Sequence, residues 1–452
     1  MTAANIPDDD VLLEILFRVS TDVADLLRCA LTCKRWCALV ADPAFLRRRW
    51  PDNACHPLSL LGFFVQQRRT QEDNAELFAG GLYDDMDTEA RQPPFFVPAQ
   101  PPRPRQPLGD RRRFLSSFVT DVPAFQLDGA KPLAARHGLL LVRLDRGSTA
   151  NSNSVHLAVC DPLAGTCDVL PPLNCPVSCI SCAILTGSDY CSSSDGRPQQ
   201  RRPARGLSTF FTVQTIVGYT CWNDHHVCDL YTFSSAKPRW SAPRRCFSAW
   251  LHGKGGFMMP MWNRTGIVRR GTTHWLAAYL SSDRTPSKYH TFNVNIETGH
   301  VSLTEVTIPV SAPAHQLSAT GYGWPMLSVA ADGALTLYHV SREAGLPRLD
   351  IWTRRGDDGE EESETLCWLR VGVFDLKVLG DNWLSVRMWL GEKSGTMLIL
   401  DEPAGRLHRF DRETGVAEDV TSFFKVSLHL TAVPMEIDWP ALFLSRLGRH
   451  LC

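Results

Sequence analysis

The sequence predicts a multidomain protein of mixed class, α plus all-β: a small helical unit followed by a β-propeller-like repeat domain, with a large β-sandwich as the alternative architecture. Three observations predict it. Apolar residues recur at helical spacing over the first fifty positions and at strand spacing after Phe114. A strand–turn–strand phrase returns roughly every sixty residues between Val155 and Val420. Between the two regions lies a polar, proline-rich stretch that fits neither period. The expected division is 1–50 for the helical unit, 51–113 for a connecting segment with a Pro-rich linker, and 114–452 for the repeat domain.

Composition narrows the function before any motif is read. The chain has 452 residues, 44% hydrophobic and 21% charged, an ordinary balance for burying a core. Its 47 Lys and Arg nearly cancel 48 Asp and Glu, so no field of one sign drives binding to nucleic acid or an anionic membrane. No apolar run approaches the ~20 residues of a membrane span. The opening residues, Ile6-Pro7-Asp8-Asp9-Asp10, are acidic where a secretory signal is basic. A cytoplasmic or nuclear protein, without nucleic acid or membrane as partner, is expected. The 15 cysteines are odd in number and irregularly spaced, which reads as reduced thiols serving as small apolar side chains.

The first helix is expected from Asp8 to Val19, where Val11, Leu12, Ile15, Leu16 and Val19 share one face. Pro7 suits its first turn, and the aspartates complement the positive end of the macrodipole. Thr21 and Asp22 can cap a second helix carrying Val23, Leu26, Leu27 and Ala30. Cys33, Trp36, Cys37 and Val40 mark a third, and Cys29, Cys33 and Cys37 fall four apart on its packed side. Asp42-Pro43 restarts a helix through Phe45, Leu46 and Trp50. Three or four short helices in so few residues bury little on their own, so a covering partner or the rest of the chain is needed.

These residues carry a resemblance. The blocks Ile6-Pro7-Asp8-Asp9, Glu14-Ile15-Leu16, Arg18-Val19, Cys33-Lys34-Arg35-Trp36 and Asp42-Pro43-Ala44-Phe45 occur in the order of the F-box pattern, over about 45 residues. Ile6 stands for the usual leucine, Ser20 for a proline and Thr32 for a common valine. The resemblance implies docking to the Skp-type adaptor of an SCF-type cullin–RING ubiquitin ligase, and through it to cullin and RING subunits. Carried over residue by residue, the docking surface is Pro7, Leu12, Ile15, Leu16, Leu26, Leu27, Cys33 and Trp36, some of which belong to the unit's own core.

Residues 66–110 are polar, and Arg91 to Pro107 is dense in proline, an extended spacer. The repeated phrase then runs through Asp161–Gly165, Asn295–Gly299 and Asp411–Gly415, each a turn closing on glycine, with weaker copies at Ser234–Lys237 and Thr353–Gly356. Five such hairpins suggest propeller blades. The arrangement resembles the degenerate propeller that follows the box in many plant F-box proteins. Trp222, Trp240, Trp275, Trp352, Trp383 and Trp389 sit in or beside expected strands as packing between sheets. The apolar segment Glu436–Leu444 is expected to pack the C-terminus back onto the body.

Chemistry-bearing clusters are few. Cys175, Cys179, Cys182 and Cys191 lack the paired spacing of a zinc site, and in Cys221–Cys228 the adjacent His225 and His226 cannot readily share one ion, so no metal is assigned. Motifs for hydrolysis and phosphate binding are missing, and Gly321-Tyr322-Gly323 lacks the rest of a dinucleotide fingerprint. The acidic run Gly356–Glu364 reads as a solvated inter-strand loop, and the Ser/Arg segment 188–206 as a disordered insertion between blades. No catalytic residue and no cofactor is assigned. The expected function is a substrate-recruiting ligase adaptor that is not an enzyme. The alternatives are a non-degradative binding scaffold and a propeller binding a small molecule or glycan through a polar central channel.

Overall fold

The computed structural model describes residues 8–19, 23–51, 54–67, 92–99, 113–144, 154–175, 179–190, 209–221, 225–248, 257–260, 265–280, 286–308, 325–343, 346–354, 368–379, 386–402, 404–424 and 430–447. Four helices come first: α1 (Asp9–Val19), α2 (Val23–Ala30), α3 (Lys34–Val40) and α4 (Pro43–Arg49). Asp42 starts α4 as the sequence predicts, its carboxylate accepting from the N–H groups of Ala44 (2.8 Å) and Phe45 (2.9 Å), with Pro43 in the first turn. The expected cap of α2, Thr21-Asp22, lies outside the described residues.

The rest is a six-bladed propeller, each blade an antiparallel sheet, and not two packed sheets as a sandwich requires. Blade 1 runs Lys131–Arg136, Leu139–Arg143, Leu157–Asp161, Thr166–Val169, from the channel outwards. Blade 2 is Cys179–Thr186, Phe211–Cys221, His225–Ser234 and Lys237–Trp240, with Arg244–Ser248 beside its third strand. In blade 3, Phe257–Pro260 and Ile267–Arg269 share the inner position against Thr272–Leu280, followed by Pro286–Asn295 and Val301–Val306. Blade 4 is Met326–Val329, Leu335–Glu343, Leu346–Arg354 and Trp368–Asp375; blade 5 is Val386–Leu390, Thr396–Asp401, Arg406–Asp411 and Ala417–Asp419.

Blade 6 closes the ring. Its inner strand, Leu430–Glu436, comes from the end of the chain; Leu60–Gln67, Phe95–Pro98 and Arg113–Phe114 come from the beginning. The pairing runs from Leu60 opposite Glu436 to Gln67 opposite Leu430. Strands thus occupy part of the segment 51–113 expected to be a connector. The continuous apolar run Leu60–Val65 has its partner at the far end of the chain, which a local reading cannot see, and Pro98 is tolerated because it ends its strand. The prolines from 100 to 107 lie outside the described residues.

The five hairpin phrases are the outer two strands of blades 1 to 5. Three of their turns share one chemistry, and the turn of blade 4 lies outside the described residues. Asp161, Asn295 and Asp411 each accept two backbone N–H groups at 2.9–3.1 Å from the residues two and three further on. The closing Gly165, Gly299 and Gly415 adopt φ of 75°, 64° and 69°, which a side chain would strain.

Alternation along the strands fills the wedges between blades. Leu139 and Leu141 face blade 2, while Leu140 and Val142 face blade 6. Leu398 and Leu400 face blade 6, while Met397 and Ile399 face blade 4. Strands buried on both faces therefore read as continuous apolar runs. Of the tryptophans expected between sheets, Trp275 fills the wedge of blades 2 and 3 and Trp352 that of blades 3 and 4. Trp240 and Trp389 pack partly buried in others, and Trp222 and Trp383 lie outside the described residues.

The C-terminal segment departs from expectation. After the closing strand, the helix Trp439–Leu447 packs on α3 and α4, and Ile437, Trp439, Phe443 and Leu447 join one continuous core with Leu12, Leu16, Leu26, Phe45 and Trp50. This supplies the cover that the small helical unit lacks. No described helix is long and apolar enough to cross a membrane.

Candidate functional site

Burial sorts the residues expected to form the docking surface of the helical unit. Leu12, Leu16 and Leu26 are 6%, 2% and 0% exposed and belong to the buried core of the helical unit, the part of the expected set that sequence alone could not separate from the docking surface. Their stripe packs against the other helices of the unit, in a core that continues to the chain's own Trp439–Leu447 helix through α3 and α4. Leu27 and Trp36 are half-buried at the edge of that core, and Ile15 and Cys33 are exposed. Pro7 lies outside the described residues. Cys33 precedes α3 in extended conformation (φ −160°), so it shares no helical face with buried Cys37 or half-buried Cys29, contrary to the expectation from spacing.

Two further apolar side chains join the exposed set. Val11 is 52% exposed and Leu31 77%, beside Ile15 at 42%. Val11 and Ile15 stand one helical turn apart on α1, a spacing that the sequence displays. Leu31 lies in the turn from α2 to α3 and has no periodic signal. Arg35 bonds Asp9 at 2.7 Å, bringing the start of α3 beside the start of α1. Glu14 takes Arg18 (2.6 Å) and Arg48 (2.9 Å), pinning α1 to α4; bonds to Arg48, then Arg18, lower its pKa. An apolar strip held on a braced helix pair suits a partner's groove.

The unit is fastened to one end of the propeller. Trp50 stacks on Phe443 with ring centroids 5.7 Å apart, and the Trp439 indole N–H donates to the Leu58 carbonyl at 2.9 Å. Asp438 caps the C-terminal helix through the Ala441 N–H (3.0 Å) and takes Lys393 Nζ of blade 5 at 2.5 Å. The His56 N–H donates to the Lys393 carbonyl at 2.8 Å.

At the same end, charged groups converge on the channel rim. Arg136 holds Asp189 at 2.6 Å and Glu392 at 2.9 Å, and Glu436 accepts from the N–H groups of Lys393 and Ser394. Burial alone would raise the Asp189 carboxyl, but the Arg136 charge together with His137 and the hydrogen bonds from Arg136 and the Thr186 N–H outweighs it and holds the pKa at about 2. Burial, reinforced by Arg136, drives His137 down to about 4, so it is neutral at pH 7. This cluster joins residues hundreds apart in sequence, and nothing in the sequence announced it.

The channel itself is a cavity of about 200 Å³ bordered by the inner strands of all six blades. Cys175 and Cys182 are buried free thiols, raised by desolvation to about 11 and 12. Cys191 and the side chains of Cys179, Cys221, His225 and His226 lie outside the described residues, as do Gly321–Gly323 and the acidic run from Gly356. Among the described residues, no three His, Cys, Asp or Glu side chains converge on a metal-sized site.

Residues 4–50 match the F-box-like family, and residues 115–411 match a domain of unknown function, DUF7595. No curated protein matches the chain. Among solved structures, the α-L-arabinofuranosidase Arb93A of Fusarium graminearum is similar at 11% identity and a TM-score of 0.37, covering 64% of this chain and 79% of that one. The α-L-arabinanase of Penicillium chrysogenum is similar at 10% identity and 0.36, covering 64% and 78%. The WD40 domain of SCAP from fission yeast stands at 10% and 0.27, covering 68% and 60%. Likeness at this level carries no argument about activity.

Proposed function

For a chain that belongs to the DUF7595 family and opens with an F-box-like domain, we propose the role of substrate-recruiting adaptor in an SCF-type cullin–RING ubiquitin ligase. The helical unit docks to the Skp-type adaptor, and the propeller holds a target protein. One observation carries the reading: the chain's own C-terminal helix fills the inner side of the unit, while Val11, Ile15 and Leu31 remain apolar and exposed. The mechanism is proximity. A target held on the propeller meets the charged conjugating enzyme at high effective concentration, and this chain contributes no bond-making group.

Co-elution of the full chain with a purified Skp-type adaptor, followed by addition of cullin, RING subunit and labelled ubiquitin, tests the proposal. A stable complex and adaptor-dependent ubiquitin transfer to the chain's own lysines are expected. A complex that forms but supports no transfer marks a non-degradative scaffold, and no complex at all overturns the docking assignment.

A further inference from the structure

Independently of adaptor docking, we propose that Cys160 and Cys167, facing one another on the outer strands of blade 1, are a reversible oxidation site at which a small hydroperoxide converts two thiols into a cross-strand disulfide. Cys160 lies opposite Cys167 in the register of Leu157–Asp161 with Thr166–Val169. Both thiols are free, and their sulfur atoms stand 3.1 Å apart.

The ladder geometry favours the bond. Antiparallel strands alternate between pairs that exchange backbone hydrogen bonds and pairs that do not, and the second kind holds its side chains closer. Two hydrogen bonds assign Cys160 and Cys167 to the second kind. The Cys167 N–H turns away from the partner strand and donates to the Asp121 carboxylate at 2.9 Å. Three steps along the ladder, the Leu170 N–H donates to the Leu157 carbonyl at 2.9 Å, which fixes the alternation. Such pairs have Cα atoms about 4.5 Å apart, within the span of a disulfide. Rotation of the two side chains therefore closes the bond and leaves the strands in place.

The two sulfurs have different roles. Cys160 is 0% exposed in the wedge between blades 1 and 6, and Cys167 is 8% exposed. The hydrogen bond with Cys167, then burial, push the Cys160 thiol up, and the Asp121 and Asp168 carboxylates add to this, so Cys160 keeps its proton. Cys167 has the path to water and meets the oxidant first. Its sulfur attacks one peroxide oxygen, the O–O bond breaks, and the departing hydroxide takes up the thiol proton as water. The Cys160 sulfur then attacks the resulting sulfenic acid, the S–O bond breaks, and a second water leaves with the Cys160 proton. Two thiols lose two electrons in total, and one peroxide is reduced to two waters (one alcohol and one water for an organic peroxide). The fixed contact favours this condensation over further oxidation of Cys167. A dithiol reductant returns the electrons by exchange and is itself left as a disulfide. The oxidised form ties both strands of the Asp161–Gly165 hairpin together.

Treating the reduced, folded full chain with hydrogen peroxide, then blocking remaining thiols under denaturing conditions, tests the proposal by mass analysis. Cleavage before Asp161 and before Asp168 places the two cysteines in separate peptides. A cross-linked Cys160–Cys167 peptide pair that separates on treatment with dithiothreitol is expected as the main oxidation product. In Cys160→Ala, the stalled sulfenic acid is expected at Cys167, trapped as its dimedone adduct; should that variant fold poorly, the cross-link in the parent chain carries the test. Peroxide that oxidises other cysteines and leaves this pair reduced overturns the proposal. A cross-link that joins either cysteine to a different partner overturns it equally.

Discussion

His137 shows what single residues contribute and how they are tested. It adopts φ 49°, its Nδ1 lies 2.7 Å from the Thr186 hydroxyl, and burial keeps it neutral down to about pH 4. The unfolded chain takes up the proton near pH 6.5. Between those values the unfolded state binds more protons, so stability is lost as pH falls through the window. The denaturation midpoint is therefore expected to drop between pH 7 and pH 4.5. His137→Asn, whose residue tolerates the left-handed backbone, is expected to flatten part of that slope. His339 and His408, also lowered by burial, act in the same direction, and Glu392, raised by burial, opposes them. An unchanged slope in the variant contradicts the assignment. The helical blocks were legible residue by residue because their spacing is local. Which of Leu12, Ile15 and Leu16 faces outward was not, because that depends on how the helices pack on one another in a core completed by the Trp439–Leu447 helix from the far end of the chain.

Among elements, that C-terminal helix is the clasp between box and propeller. Phe443 is fully buried between Trp50 and Trp439. Phe443→Ala is expected to cost about 3–5 kcal/mol through lost burial and the cavity left behind. The readout is an earlier unfolding transition of the helical unit and faster proteolysis between Trp50 and Leu60. A variant that melts and resists protease like the parent contradicts the clasp. The hairpins were legible because an Asp or Asn, three residues and a glycine specify one turn wherever it occurs, as at Asp161, Asn295 and Asp411. Blade 6 was illegible for the opposite reason: Leu60–Gln67 finds its neighbour Leu430–Glu436 only when the ring closes. The rim cluster of Arg136, Asp189, Glu392 and Asp438 was hidden in the same way.

At the scale of the whole molecule, ring closure and the clasp combine. The strand Leu430–Glu436 seals the propeller, and the chain passes directly into the helix that completes the F-box-like unit. Box and propeller are therefore joined by packing as well as by the chain, which favours a fixed distance between a docked adaptor and a held target. Fixed geometry raises effective concentration where a loose tether dilutes it. The most direct measurement compares the affinity of a purified Skp-type adaptor for the parent chain, for Val11→Asp/Ile15→Asp and for Leu16→Ala, each with its melting temperature. The exposed-face variant is expected to lose binding about a hundredfold with an unchanged melting temperature, and the core variant to melt early. Full adaptor affinity in Val11→Asp/Ile15→Asp would contradict the account.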